Sequence, residues 1–576
     1  MSSEPHDRFG GRRLNIAIAI LLAVLALAVR TDRLGFNSLS EDETAKWMAI
    51  QEYRQGNFVG VNSEHPIILK ALAWASLTIG ERWTSIALAH GWPDIAPEAW
   101  LRLPNVLFGA ATAVILFLLC RQLMGAAGSF AAGLFWAVSP LTIAVNRLAK
   151  EETAFTFFSL LACYFYCHVK GVTSEKETRR WADLSAMAFG LATASQYMIH
   201  LFGLNHLAWH IAGRRGLDRK SMGPLHLRML LVMCIAFITV NPFILSPTSI
   251  SYILHWLHHS GVHHSGYNFN GTLYLNFPSL MFSGMPWYFY LWMLLVKTPI
   301  PILLAIVIGS ILLLRDRNTL ASCLFLSLGL VQLIGLSICG AKWLRYSLPL
   351  LPFLYLAAGY AVQAGWTWAG RRKLSAAVAA VAAVVLLGWP LLELLAWRPY
   401  YPLYLNAIGG GTRNTARYFS PDEVSEFDTR KVAQLICPAA YPQATVATAR
   451  PDSMRYYLKS CGRPDIRIVP LYDPLYVPHD GDLIVLEPSR RFRETQRFFD
   501  LLEKSNQPHR EIHSGPVVAS TIYLFPRPEP GQEQGLHNVL LAPPRDSDFS
   551  RGASAPNSNR ASVDRGPWRL PVRQQP

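Results

Sequence analysis

The sequence predicts a mainly α-helical, polytopic membrane protein with a small α/β domain towards its C-terminal end. Of the 576 residues 51% are hydrophobic and only 16% are charged, which is more apolar and less charged than soluble domains are. The apolar residues lie in runs long enough to cross a bilayer, and basic residues recur in every second loop between the runs. The net charge of +15 therefore fits cytoplasmic loops, and we predict no nucleic-acid partner.

About eleven membrane spans are predicted, taking about twenty residues as a span and tolerating shorter ones. The first, 14–29, follows a short basic head, residues 1–13, which we expect to be cytoplasmic because no small-residue cleavage site follows the span. The other spans are predicted at 100–120, 128–146, 153–169, 182–196, 197–213, 227–246, 286–314, 319–340, 345–367 and 374–396.

The charges of the loops support this count. With the head inside, the cytoplasmic loops contain basic residues, as the positive-inside rule requires: Arg121, Lys170, Lys176, Arg179, Arg180, Arg214, Arg215, Arg219, Lys220, Arg315, Arg317, Arg371, Arg372 and Lys373. The segment 182–213 has to hold two short helices that meet near Gln196 and Tyr197. If it held one, the later basic loops would lie outside.

The membrane domain is predicted to cover 14–396, with an outer loop at 30–99. Within this loop, Pro66 to Ala89 is apolar but contains Lys70 and Glu81, so we expect helices that lie on the membrane interface, with a re-entrant pair as the alternative. Residues 397–525 alternate helix-like and β-rich stretches and predict an extracytoplasmic α/β domain. Residues 526–576 are rich in Pro, Gly, Ser, Arg and Asn, which is typical of a disordered tail.

The α/β domain has specific predicted elements. Helices are expected at 429–435, 452–459 and 491–503, and strands at 444–449, 466–469, 482–486 and 520–524. Cys437 and Cys461 lie at the ends of two of these helices, in a compartment that permits disulfides, and we predict that they are bonded.

Acidic residues gather in the outer loop. Glu41, Asp42 and Glu43 follow the first span, and Glu64, His65 and Pro66 precede the next apolar run. Acids at the start of a helix are favoured by its dipole, which is the alternative to a catalytic role. In the later loop, His263 and His264, together with His258, His259 and His255, have a spacing that suits a divalent metal such as zinc. Histidines that pack at the interface are the alternative, and we predict no other cofactor.

Several short motifs follow one another along the chain. They are Glu41-Asp42-Glu43, Glu64-His65-Pro66, Arg102-Leu103-Pro104, Arg147 to Thr153, Pro286 to Trp292, Lys297 to Pro299 and Arg345 to Pro352. In this order they resemble the superfamily of dolichyl-phosphate-mannose protein mannosyltransferases and aminoarabinose transferases, which are C-type integral-membrane glycosyltransferases, often classed as family 39. The resemblance covers about 14–396.

The resemblance implies an inverting transfer of a sugar at the outer face of the membrane, from a polyprenyl-phosphate donor to a hydroxyl or phosphate of a protein, lipid or glycan acceptor. Asp42 would be the general base and Glu43 would orient the acceptor. Arg345 and Lys342 would bind the donor phosphate, although both could instead anchor the chain at lipid headgroups. His65, Glu64, Glu152 and Lys150 would support the site, while local pairing at i, i+4 is the alternative for Glu152.

Two other function classes are weighed against this one. A transporter or lipid flippase would favour internal repeats, broken helices in paired positions and charges buried within spans, whereas here the charges gather at one face. A structural membrane subunit would leave the ordered acidic and basic loops unexplained. We expect the protein to lie in a bacterial inner membrane, in contact with its lipids. The candidate site and the α/β domain would face the periplasm.

Overall fold

The computed structural model describes residues 10–215, 223–259, 266–277, 280–317, 319–372, 376–415, 417–420, 428–440, 442–505 and 509–525. Within these ranges the chain is mainly helical. The α-helices are α1 (Gly10–Thr31), α2 (Glu41–Arg54), α3 (Ile67–His90), α4 (Pro97–Leu123), α5 (Ala126–Val138), α6 (Pro140–Asn146), α7 (Glu151–Gly171), α8 (Glu175–Thr193), α9 (His200–Arg214), α10 (Gly223–Val240), α11 (Pro247–His259), α12 (Phe289–Lys297), α13 (Ile300–Arg315), α14 (Leu320–Leu324), α15 (Gln332–Ile338), α16 (Leu351–Arg371), α17 (Ala376–Ala396), α18 (Thr429–Ala439), α19 (Pro451–Ser460) and α20 (Gln496–Leu502). The strands are β1 (Tyr267–Phe269), β2 (Thr272–Tyr274), β3 (Thr445–Thr448), β4 (Arg467–Pro470), β5 (Asp482–Leu486), β6 (His509–Ser514) and β7 (Val517–Phe525).

Helices coincide with all eleven predicted spans, and the predicted break between α8 and α9 is present at 194–199. Among the described residues, four helices are by themselves long and apolar enough to cross a membrane: Gly11–Thr31, Pro97–Leu123, Leu320–Ile338 and Leu344–Arg371. The bent pair of α5 and α6 makes a fifth if it is one span. The chain is therefore an integral membrane protein, while the count of eleven spans stays a prediction. The first helix starts at Gly10 and so includes part of the predicted head.

Two of the predicted spans are broken. The segment 286–314 is divided at Thr298 and Pro299 into α12 and α13. The segment 128–146 is divided at Ser139, where α5 and α6 meet at 57°, before Pro140 opens α6. Because proline has no N–H to donate, such a break leaves the carbonyl groups of the preceding turn without helical partners.

A buried arginine stabilises the break between α5 and α6. The Arg30 guanidinium, on α1, is fully buried and donates to the carbonyls of Trp136 (3.1 Å) and Ala137 (3.0 Å) and to Asn146 Oδ1 (3.0 Å). It thereby supplies donors to carbonyls released by the break and to the side chain at the end of α6. The last turn of α6, and the loop that follows it, are consequently fixed against α1.

Close packing joins α5 to α16 in the membrane core. A Cβ on Gly128 would lie 2.4 Å from the carbonyl oxygen of Gly359, and a Cβ on Gly359 would lie 2.4 Å from that of Gly128. The two glycines let the helix backbones touch, which is the usual way in which helices pack in a bilayer, where lipid removes the hydrophobic driving force between them.

The C-terminal α/β domain is present as predicted. Its five-stranded sheet has the order β4-β3-β5-β7-β6, with β4, β3 and β5 parallel and with β7 antiparallel to β5 and β6. Strand β6 was not predicted. A disulfide joins Cys437, on α18, to Cys461, which follows α19, so the predicted bond is confirmed. The predicted tail, 526–576, lies outside the described residues.

Candidate active site

The acidic stretch after α1 folds as the first turn of α2. Ser40 is its N-cap: the Ser40 hydroxyl accepts from the backbone N–H of Glu43 (3.2 Å), and the Glu43 carboxylate accepts from that of Ser40 (2.9 Å). This reciprocal capping box satisfies two amides that would otherwise lack partners at a helix start. The three acids also benefit from the positive end of the helix dipole.

Arg102, near the start of α4, organises the approach to α2. Its Nε and Nη2 donate to the two oxygens of Glu43, both at 2.8 Å. The remaining donors bind the carbonyls of Leu34 (3.1 Å), Asn37 (3.0 Å) and Ser38 (2.6 Å). Arg102 and Glu43 are both buried. All the hydrogen bonds of the guanidinium are made, and they fix α2 together with the loop that precedes it.

Glu43 also holds the loop between α6 and α7. Its Oε1 accepts from the backbone N–H of Ala149 (2.9 Å), and Asn105 donates to the carbonyls of Leu148 and Lys150. Burial by itself raises the pKa of a carboxyl group, but the charge and hydrogen bonds of Arg102, with the backbone N–H groups, outweigh burial and lower the pKa of Glu43. Glu43 is thus a buried anion whose partners set the positions of two loops.

The loop held by Glu43 brings Lys150 to Asp42. The two side chains form an ion pair, in which Lys150 is buried and the Asp42 side chain is 47% exposed. The next residue, Glu151, is buried and pairs with Lys46 of α2 at 2.9 Å. The starts of α2 and α7 therefore face each other through two ion pairs. In one pair α2 supplies the acid, and in the other it supplies the lysine. We call this end of the membrane domain the α2 face.

His65 and Glu64 lie beside these pairs. His65 Nδ1 is 3.9 Å from Glu151 Oε1, and about a third of its side chain is exposed. Enclosure by protein lowers the pKa of His65, against the opposite effect of Glu151. Glu64 accepts from Asn62 Nδ2 at 3.0 Å.

Lys70, on α3, lies beneath the turn that carries His65. Its ammonium donates to the carbonyls of Asn62 (2.5 Å) and His65 (3.0 Å). Burial, and then the neighbouring charge of Lys46, lower the pKa of Lys70 to about 8. The turn is therefore built on a buried lysine that loses its proton at a lower pH than an exposed lysine does.

Arg345 and Glu152 form the next part of the α2 face. Arg345 Nε lies 3.3 Å from Glu152 Oε1, and the guanidinium is 4.8 Å from the ring centre of Trp343 and 5.4 Å from that of Tyr346. Glu152 follows Glu151 directly at the start of α7. The structure thus brings Asp42, Glu43, Lys150, Glu152, His65 and Arg345 to one face.

Lys342 is placed differently. It is 1% exposed, its ammonium donates to the carbonyls of Met285 (3.0 Å) and Cys339, and its backbone N–H donates to Asn276 (2.7 Å). In this conformation Lys342 ties loops together, and its predicted binding of phosphate stays a prediction. So does the predicted metal site, because His263 and His264 lie outside the described residues, among which no group of three metal-ligating side chains occurs.

Several buried polar residues of the site, among them Lys46, Lys70, Arg102, Asn105 and Glu151, were not predicted from the sequence as site residues. Lys46, Asn105 and Arg102 are buried polar groups within helices. A signal for Arg102 was available, since an arginine in an otherwise apolar helix requires a partner. For Lys46 and Asn105 nothing in the local pattern identifies the partner, because their contacts lie 105 and 43 residues away, at Glu151 and Leu148.

Comparison with known proteins agrees with this architecture. Residues 96–244 match the family described as dolichyl-phosphate-mannose-protein mannosyltransferase. ArnT from Cupriavidus metallidurans in the apo state superposes with a TM-score of 0.51 and 15% identity, over 87% of this chain and 97% of that one. The same protein bound to undecaprenyl phosphate gives 0.48, with 14% identity over 90% and 98% of the two chains.

A further similar structure is the oligosaccharyltransferase AglB from Archaeoglobus fulgidus, in complex with an inhibitory peptide and a dolichol-phosphate. It has a TM-score of 0.44 and 10% identity, over 80% of this chain and 65% of that one. No curated protein sequence matches the chain significantly. The family match covers α4 to α10, which includes Arg102, Asn105, Lys150 and Glu152, and the ArnT-like fold extends over 87% of the chain. Residues 96–244 are thus similar to the protein mannosyltransferase family, and the chain shares the fold of the membrane protein ArnT.

Proposed function

We propose that the protein transfers a sugar from a polyprenyl-phosphate-linked donor to an acceptor hydroxyl or phosphate at the α2 face, with inversion at the anomeric carbon and with Asp42 as general base. One observation carries the assignment of the base. Among the ion-paired carboxylates of the cluster, the Asp42 side chain is 47% exposed, whereas those of Glu43, Glu151 and Glu152 are 0%, 3% and 6% exposed. A general base has to reach the proton it removes.

The reaction needs one proton acceptor and one group that stabilises the leaving phosphate. The acceptor oxygen attacks the anomeric carbon while the bond from that carbon to the phosphate oxygen breaks. Asp42 takes the proton of the attacking hydroxyl, and the lipid phosphate leaves with the electron pair. Lys150, paired with Asp42, holds the carboxylate in one orientation.

Arg345 is the group that we assign to the leaving phosphate. Its planar guanidinium has several N–H donors suited to phosphate oxygens, and the side chain is 15% exposed. The rings of Trp343 and Tyr346 limit its movement. Because the description of the matching family names a dolichyl-phosphate sugar, a polyprenyl-phosphate donor is the class that the comparison supports.

The other predicted site residues take supporting roles in this proposal. Glu43 positions α2 and the loop that carries Lys150, since its oxygens already accept from Arg102, Ser40 and Ala149. His65, next to Glu151, and Glu152, next to Arg345, support the neighbouring charges, and Glu64 holds the turn that carries His65 through Asn62. We place the protein in a bacterial inner membrane with the α2 face towards the periplasm, where a protein, lipid or glycan acceptor is available.

Transfer of label from a donor tests the proposal. The purified protein in sealed proteoliposomes would receive radiolabelled polyprenyl-phosphate sugars and a panel of protein, lipid and glycan acceptors. We expect labelled acceptor and free polyprenyl phosphate from the wild type. We expect turnover at least about a hundredfold lower from Asp42→Asn, with donor binding retained.

The matched control is Asp183→Asn, on α8, whose carboxylate pairs with Arg228 outside the site and whose turnover should equal that of the wild type. Near-normal turnover of Asp42→Asn at saturating donor and acceptor would rule out Asp42 as the base. Movement of donor across the bilayer without any transfer would instead support a flippase.

A further inference from the structure

Helix α19 of the C-terminal domain contacts the first turn of α2 through Ser453. The Ser453 hydroxyl shares a hydrogen bond with the hydroxyl of Thr44 (2.9 Å) and donates to the carbonyl of Leu39 (3.3 Å). Its backbone N–H donates to Glu41 Oε1 (3.4 Å). Ser453 is fully buried and Thr44 nearly so. A single serine of the C-terminal domain therefore contacts residues on both sides of Asp42.

A second contact, through Tyr457, fixes the chain just before α2. The Tyr457 hydroxyl accepts from the backbone N–H of Leu39 (2.6 Å) and donates to Glu98 Oε1 (2.7 Å), at the start of α4. Glu98 also pairs with Arg430, whose guanidinium lies 5.5 Å from the ring centre of Tyr457. The backbone N–H of Arg430 donates to Ser38 Oγ (2.9 Å). Helices α18 and α19 thus both hold the segment 38–44.

The two domains also share a hydrophobic core at this place. Leu39 and Ile50, from the outer loop, and Leu101, from α4, belong to the same buried cluster as Val432, Ile436 and Met454 of the C-terminal domain. At its edge the rings of Trp47 and Tyr456 meet edge to face at 5.4 Å. Domains joined only by a linker and a polar interface would move independently, whereas an apolar core continuous with that of α2 holds the domain in a fixed position.

We infer that the C-terminal domain positions the general base: Ser453 and Tyr457 of α19 fix the first turn of α2 and thereby aim Asp42 at the acceptor. The inference rests on the proposed function of Asp42. Arg102 binds this turn through Glu43, Ser453 binds it through Glu41 and Thr44, and Tyr457 binds Leu39 just before it. Displacement of a catalytic group by about 1 Å can cost about a hundredfold in rate, so the loss of one of these contacts is sufficient to slow turnover.

A kinetic experiment on the full-length protein tests this role. Ser453→Ala removes the shared hydrogen bond and Tyr457→Phe removes the hydroxyl between Leu39 and Glu98. We expect each to lower kcat about tenfold while the KM for the donor stays within about twofold, and Ser453→Thr, which keeps the hydroxyl, to restore kcat. The control is Ser460→Ala, at the other end of α19, where the hydroxyl donates to the carbonyl of Tyr456 within the same helix. Its kinetics should match those of the wild type.

A double-mutant cycle separates positioning from a general loss of stability. If Ser453 acts through Thr44, the variant Thr44→Val/Ser453→Ala should be no slower than the slower single variant. Multiplicative losses in kcat would show that the two hydroxyls act independently and would overturn the proposed route. A thermal midpoint that falls together with kcat in Ser453→Ala and is not restored in Ser453→Thr would also overturn it, because that is the signature of a merely structural residue.

Hydrogen exchange of the α2 amides gives a readout that needs no turnover. We expect the amides of residues 41–45 to exchange at least about tenfold faster in Ser453→Ala than in Ser460→Ala. Unchanged exchange would overturn the positioning role even if the wild type is an active transferase. Faster exchange with unchanged kcat would show that Ser453 orders α2 without aiming Asp42. If the wild type transfers no sugar, the proposed function fails, and exchange alone decides whether α19 orders α2.

Discussion

Arg102 and Glu43 form a buried bidentate ion pair that joins α4 to α2, with both nitrogen to oxygen distances at 2.8 Å. Glu43 is the next residue after Asp42 in the first turn of α2, and its carboxylate also fixes the loop that carries Lys150. Asp42, the most exposed of the ion-paired acids at the α2 face, is therefore next to Glu43, whose pair with Arg102 is among the most buried in the described chain. The predictions below follow from this arrangement.

Removing Glu43 should destabilise the protein strongly. Glu43→Ala leaves the buried Arg102 guanidinium without the carboxylate that pairs with it, and such a loss typically costs about 3–5 kcal/mol of unfolding free energy. Unfolding of the detergent-solubilised protein by denaturant measures the change. Glu175→Ala, which breaks the exposed pair with Arg179, should change the unfolding free energy by less than about 0.5 kcal/mol. Equal effects of the two variants would contradict the burial argument.

Arg345 and Lys342 should behave differently when they are substituted. Arg345→Ala removes the cation that we assign to the donor phosphate, so the dissociation constant for the polyprenyl-phosphate donor should rise about tenfold or more. Lys342→Met removes donors to two loop carbonyls, so it should lower the thermal midpoint while the folded fraction keeps near-normal donor affinity. Binding of labelled donor and thermal unfolding measure both. If only Lys342→Met lost affinity for the donor, Lys342 rather than Arg345 would be the residue that binds the donor phosphate.

The stability of the protein should depend on Lys70 between about pH 8 and pH 10.4. Burial lowers the pKa of Lys70 to about 8 in the folded protein. In that window the unfolded chain binds more protons than the folded one, so the contribution of Lys70 to stability rises with pH. Its full extent is at most about 3 kcal/mol.

The measurement for Lys70 is the thermal midpoint as a function of pH. The midpoint of the wild type should rise relative to that of Lys70→Met as the pH goes from 8 to 10. Lys176→Met, at an exposed position, should run parallel to the wild type over the same range. A constant difference between wild type and Lys70→Met would mean that Lys70 stays charged.

The disulfide between Cys437 and Cys461 should stabilise the C-terminal domain. It closes a loop with a sequence separation of 24 residues and ties the ends of α18 and α19 together, which typically contributes about 3 kcal/mol. Double substitution to serine should lower the thermal midpoint and speed exchange of the α2 amides, since both helices hold that segment. Cys234→Ser, a free and exposed cysteine, is the control and should leave both unchanged.

The orientation in the membrane is open to a direct test. Because the basic loops alternate with the spans, a topology reporter fused after Trp397 should read as external and one fused at Lys176 as cytoplasmic. Fusions after Arg215 and Arg372 should agree with the one at Lys176. The opposite result at both positions would place the α2 face in the cytoplasm and would contradict the proposed location of the site.

Much of the fold could be predicted from the sequence because secondary structure follows from patterns of neighbouring residues. Apolar runs locate the helices, and short β-rich stretches locate β3, β4, β5 and β7. Strand β6 was missed because its sequence, His509-Arg-Glu-Ile-His-Ser, is polar and pairs only with β7 at the edge of the sheet. An edge strand buries little, so it has little hydrophobic signal.

The candidate site, like the fold, could be predicted from the sequence only in part. The sequence by itself determined that acids gather after the first helix, and the family motifs singled out Asp42 among them. Only the tertiary structure decided that Glu43 is buried against Arg102, that Glu152 meets Arg345, and that α19 holds the first turn of α2. These partners lie tens to hundreds of residues apart, and the pattern around a charged residue carries no information on which distant partner will compensate the cost of its burial.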